Sequence, residues 1–150
     1  MPRPPPHRTI LLRSADGRDV LRVTALRRDT GYPSVEVRVE GTAKGFSGGN
    51  DAWLDGFELK AFAAALRSFE RSRHGRVELR SMSPEELRLV LRSADAAGHL
   101  LVEFTIARNA LVADGLEPVP LRVQGAFELD PGTLGEIAEG VAWLASGGGA

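Results

Sequence analysis

The chain has 150 residues, of which 43% are hydrophobic and 26% charged, and its formal net charge is −1. That is the makeup of one globular domain able to bury about 70% of the surface its unfolded chain would expose, and near-neutrality excludes the strongly basic field of a general nucleic-acid binder. There is no cysteine, which excludes thiolate metal sites, redox pairs and cysteine nucleophiles and permits a reducing compartment.

Residues 1–8 begin MPRPPPH and read as a proline-rich flexible tail. A single α+β domain is expected over 9–146, with a frayed glycine-rich end at 147–150. No long apolar stretch follows the tail, so a cytoplasmic location is expected. Ile10 and Leu12 alternate toward a core, Asp16-Gly17 supplies the tip of a turn, and Leu21, Val23 and Ala25 return as a second strand. After a turn at Asp29 to Pro33, a third strand carries Val35, Val37 and Val39 inward and Glu36, Arg38 and Glu40 outward. The apolar pattern breaks in GTAKGFSGGNDAW, which reads as a loop or as a bulged strand, with Phe46 and Trp53 as its large anchors.

Leu59, Phe62, Leu66 and Phe69 recur at helical spacing and predict a helix over Phe57 to Ser72. Arg67, Arg71 and Arg73 complement its negative end, and Gly75 sits where a left-handed cap is expected. Three strands follow with apolar faces Val77/Leu79, Leu87/Leu89/Leu91 and Leu100/Val102/Phe104/Ile106. Asn109 to Pro120 reads as a loop because of Pro118 and Pro120, and Leu121 to Leu129 as the next strand. Leu134, Ile137, Val141 and Leu144 mark a closing helix with Asp130 or Thr133 as its N-cap. The expected fold is thus a predominantly antiparallel sheet with two packed helices. The segment LRSAD occurs at Leu12 to Asp16 and again at Leu91 to Asp95, and is read as shared turn chemistry rather than as a duplicated hairpin.

No reaction centre stands out. His7, His74 and His99 have no second ligand at metal-binding spacing, and Ser47-Gly48-Gly49 lacks the Lys-Ser/Thr end of a phosphate loop. Asp51, Asp55 and Glu58 suit the positive end of the first helix whatever the function, and Trp53 and Trp143 read as core anchors. No catalytic residue, cofactor or metal is therefore expected, nor a nucleic-acid or membrane partner.

Trp53, FELKAFAAALRSF, GRVELRS, ELRLVLRSADAAGHLLVEFTIA and VQGAFELDPGTLGEIAEGVAWL follow one another in an order that resembles the WapI family of bacterial immunity proteins and related families. The resemblance runs from about Val35 to Leu144, and its most distinctive pieces are Gly98-His99 and Phe127 to Asp130. It implies a small cytoplasmic protein that binds and neutralises a cognate toxin without catalysis. The expected partner contacts are Glu36, Arg38, Glu40, Phe46, Asn50, Asp51 and Asp55, on the wet sheet face and the loop from Gly41 to Asp55. The competing readings are a domain that pairs with itself as a homodimer through an exposed sheet face, and a small-molecule binder with a pocket between sheet and helices.

Overall fold

A computed structural model describes residues 8–112, 114–115 and 117–147. Most of the proline-rich tail and of the glycine-rich end, and His7 with them, lie outside the described residues. The fold is α+β, and its strands form two antiparallel four-stranded sheets. The first contains β1 (Thr9–Arg13), β2 (Val20–Asp29), β3 (Ser34–Ala43) and β4 (Phe46–Asp55), and is followed by α1 (Gly56–Ser72). The second contains β5 (Arg76–Arg80), β6 (Leu87–Ser93), β7 (Leu100–Val112) and β8 (Glu117–Glu128), and is followed by a 3-10 turn at Pro131–Thr133 and by α2 (Leu134–Ala145). Each sheet is a meander in chain order, so the chain runs twice through four strands and a helix. The two LRSAD segments fall at non-equivalent places in these halves, the first at the β1–β2 turn and the second at the β6–β7 turn.

The alternation read from the sequence is the burial observed. Val35, Val37 and Val39 of β3 are buried, as are Leu89 and Leu91 of β6 and Val102, Phe104 and Ile106 of β7. In β2 the ladder pairs Ala25 with Val37 but Arg27 with Glu36. Leu26 is the extra residue of a bulge, and beyond it the inward positions shift by one. Arg28 consequently lies opposite the inward Val35, where its guanidinium donates 3.0 Å to the Leu144 carbonyl at the end of α2.

Asp55 caps α1 by accepting from the Phe57 and Glu58 N–H groups, and Leu59, Phe62, Leu66 and Phe69 form its buried stripe. The left-handed cap at its end is Arg73 (φ 58°) and not Gly75: the Arg73 N–H donates to the Phe69 carbonyl, while its side chain donates to the Glu70 carbonyl. In α2 the buried stripe includes Leu134, Ile137, Val141 and Leu144. Asp130 caps the preceding 3-10 turn through the Gly132 N–H, and Thr133 makes no side-chain capping bond. The helices pack on each other, α1 also against β5 and α2 against β1.

Where the sheets cross, glycines let them approach closely. A Cβ on Gly41 would lie 2.6 Å from the Phe104 ring, one on Gly125 2.7 Å from the same ring, and one on Gly48 2.5 Å from Val123. Phe104 is therefore seated in a notch between Gly41 of one sheet and Gly125 of the other.

The stretch from Gly41 to Asp55 is not a loop. It is the end of β3, a two-residue turn and all of β4, in register from Ala43 opposite Phe46 to Ser34 opposite Asp55. Lys44 (φ 52°) and Gly45 (φ 87°) both take positive φ, the signature of a type I′ hairpin turn. Buried Asp19 holds that turn by accepting from the Lys44 N–H at 3.1 Å and pairing with its ammonium at 2.9 Å. Nor is Asn109 to Pro120 a loop, since β7 and β8 continue as a two-stranded arm with Leu111 opposite Pro118 and Asn109 opposite Pro120.

Candidate interaction surface

The outer face of the first sheet is built from positions alternate to its core. Across β2, β3 and β4 the ladder aligns Arg27, Glu36 and Trp53 in one row and Thr24, Arg38 and Asp51 in the next. Arg27 bonds Glu36 at 2.9 Å and also lies 5.2 Å from the centre of the Trp53 ring, a cation–π arrangement. Arg38 grips Asp51 with two donors, at 3.0 and 3.3 Å. That hydrogen bond, with the Asp51 charge, raises the Arg38 pKa further above its ordinary value. Glu40 is exposed at the next outward position of β3.

The expected contacts separate into three environments. Glu36, Arg38, Glu40 and Asp51 share the outer face. Phe46 stands 73% exposed where the hairpin turn enters β4. Asn50 and Asp55 have internal roles. Asn50 pairs with the inward Val39 and donates its amide N–H to the Ala107 carbonyl at 2.9 Å, tying β4 to β7. Asp55 serves the helix cap and accepts from the Tyr32 hydroxyl, which with the Phe57 and Glu58 N–H groups holds its carboxyl below the usual range. Neither tryptophan is a fully buried anchor. Trp53 lies on the outer face under Arg27, and Trp143 is half-buried with the guanidinium carbons of Arg8 and Arg28 at 5.1 and 5.5 Å from its ring centre.

Beside this face lie two adjoining clefts, of about 380 and 350 Å³. Both are lined by Gly49 of β4 and Arg108 of β7, and the larger also by Leu121 and Arg122 of β8. Leu121 and Arg122 open the strand expected from the sequence, but Arg108 was missed because Pro118 and Pro120 disguise the arm beyond Ala107 as a loop. The apolar alternation Val102/Phe104/Ile106 breaks at Arg108, so no periodic signal in the sequence marked it.

On the outer face of the second sheet, Glu78 accepts from Arg76, Arg80 and Arg88 at 3.0, 2.8 and 2.6 Å. Burial pushes its carboxyl up, but the three guanidiniums win and hold it down at about 2. Val90 lies on this face, opposite Glu78 in the ladder, yet is only 1% exposed. Nearby, His99 bonds Asp95 at 2.6 Å and its pKa is raised, by Asp95 first and then by Glu128. Among the described residues no group of three His, Asp or Glu side chains could hold a metal ion, and no helix is long and apolar enough to cross a membrane.

No family model and no curated protein matches the chain. Among solved structures, it is similar to one of Trypanosoma brucei MRP1/MRP2, with a TM-score of 0.40 and 18% identity over 95% of this chain and 87% of that one.

Proposed function

We propose that this protein acts by binding another protein through its β3–β4 hairpin, with Phe46 at the turn and Arg38 and Asp51 on the outer face, and that the partner is a cognate toxin that it neutralises. The observation that carries the binding reading is Phe46, a large aromatic side chain held 73% exposed on the same hairpin that presents Arg38 and Asp51 as a preformed pair. Aromatic and arginine side chains on a rigid framework are the residues on which binding energy concentrates, and exposing such a ring costs solubility unless something covers it. The toxin as partner is supported by the resemblance to WapI-type immunity proteins. Neutralisation of this kind needs surface complementarity rather than turnover, and no cofactor takes part.

Mixing the purified chain with the toxin domain encoded beside its gene tests the reading directly. Calorimetry should give a stoichiometric complex with sub-micromolar affinity, and co-expression should rescue cells from the toxin. Phe46→Ala should weaken the complex by about tenfold or more, while its urea midpoint stays unchanged because the ring is exposed. Absence of association at micromolar concentrations would overturn the toxin reading. A chain that instead sediments as a dimer, with Phe46→Ala returning it to monomer, would assign the same surface to self-association.

A further inference from the structure

The edge of β4 faces the two clefts with its backbone groups unused, and the unpaired end of β7 lies beside them. The Gly56 N–H donates to the Pro33 carbonyl, toward β3, whereas the Trp53 carbonyl accepts from the Met82 N–H, away from it. In an antiparallel strand each residue sends its N–H and C=O to one side and successive residues alternate. The even-numbered residues of β4 therefore bond to β3, and Ser47, Gly49 and Asp51 turn their N–H and C=O groups outward. None of these groups has a hydrogen-bond partner among the described residues.

The same reasoning applies to β7. The Ala107 N–H donates to the Glu86 carbonyl, while the Leu100 carbonyl accepts from Leu129 on the other side. Odd-numbered residues of β7 thus face β6. The β6–β7 ladder stops at Leu87 opposite Ile106, so Asn109 and Leu111 carry their backbone groups past the end of that strand. The Asn50 bond to the Ala107 carbonyl shows that β4 lies on the side β6 has vacated.

The opposite edge of the arm is treated differently. Leu129 bonds toward β7, so even-numbered residues of β8 face away from it, and two of them are Pro118 and Pro120. Proline has no N–H to offer an incoming strand. The arm is blunted outside and open inside. At the open side stands Arg108, exposed and without an ion pair among the described residues, whereas Arg38 and Arg122 are already paired with Asp51 and Glu85.

We propose that this slot receives an extended acidic segment of a partner protein, added as a strand along Ser47, Gly49 and Asp51 with a carboxylate opposite Arg108. Main-chain bonds would supply affinity and the arginine a charge preference. The inference rests on the reading of this chain as a binding protein, and names the chemistry its partner presents.

The probe is the capped peptide acetyl-EVEVE-amide, titrated into the full isotope-labelled chain, with acetyl-KVKVK-amide and a backbone N-methylated EVEVE as controls. Saturable amide shifts are expected at Ser47, Gly49, Asp51, Asn109 and Leu111. The lysine peptide should bind about tenfold more weakly and the N-methylated one not at all. Arg108→Glu, a change at an exposed position, should reverse the charge preference. No shifts at millimolar peptide, shifts centred away from the slot, or equal binding of the N-methylated peptide would overturn the proposal. A toxin complex that forms while these amides stay unperturbed would refute the slot and leave the binding reading standing.

Discussion

Gly125→Ala tests whether the two sheets are locked by close approach around Phe104. The added methyl would meet the Phe104 ring at 2.7 Å and the Ala43 Cβ at 2.9 Å, and both neighbours are buried. Gly125 does not take a positive φ, so the backbone accepts alanine and the cost is steric. Overpacking of this kind costs about 1–3 kcal/mol, offset by about 0.4–1 kcal/mol because alanine has less unfolded-state entropy to lose. The expected net loss is about 1–2 kcal/mol, a fall in Tm of roughly 2–8 °C for a chain of this size. In urea the midpoint should drop with an unchanged m-value. In a Phe104→Leu background the ring no longer fills the notch, and the same Gly125→Ala change should cost less, with the Ala43 contact at 2.9 Å remaining. The difference between the two backgrounds, about 0.5–1.5 kcal/mol, is the coupling measured by the cycle. Equal costs in the two backgrounds would show that Phe104 and Gly125 do not compete for this space.

Glu78→Gln should destabilise the protein at neutral pH. A carboxyl held near 2 rather than 4.5 is worth about 3 kcal/mol by linkage, and screening at the half-exposed Arg76 and Arg80 reduces this to roughly 1–2 kcal/mol. Because the folded pKa is lowered, this stability is fully present above the unfolded value and is lost as pH falls through about 4.5 toward about 2. Urea midpoints of wild type and variant should therefore converge over that window, and a gap that persists unchanged at the acid end would contradict the three-arginine account. Leu66→Ala removes a side chain with no exposed surface at the centre of the α1 stripe, and should cost about 2–5 kcal/mol in the same assay.

Much of this architecture could be read from the sequence because it rests on local period. The valines of β3, the leucines of β6 and the stripe of α1 each announce which side is buried. What escaped depends on contacts between distant segments. Gly48 and Asn50 look like strand breakers, but one is required by Val123 of the other sheet and the other is satisfied by the Ala107 carbonyl. Pro118 and Pro120 look like a loop, yet sit at edge positions where a missing N–H removes no ladder bond. Period also cannot say which sheet a strand joins, so the division into two meanders had no signature. The outer face could be read as far as Glu36, Arg38 and Glu40. Its partner strand could not, because the lysine in the type I′ turn gains its left-handed conformation from Asp19, 25 residues earlier.

The bulge at Leu26 has a consequence for how this chain tolerates change in length. By advancing the count one residue, it sends Arg27 out to Glu36 and Trp53 and Arg28 in to the end of α2, two adjacent arginines with opposite addresses. Deleting Leu26 would restore an uninterrupted ladder with Ala25 still opposite Val37, Arg27 opposite Glu36 and Arg28 opposite Val35, so both arginines would keep their addresses. Losing the neighbouring Ala25 instead would leave Leu26 to take its inward place. Related chains can therefore lack a residue at the bulge without exchanging the two faces of the strand.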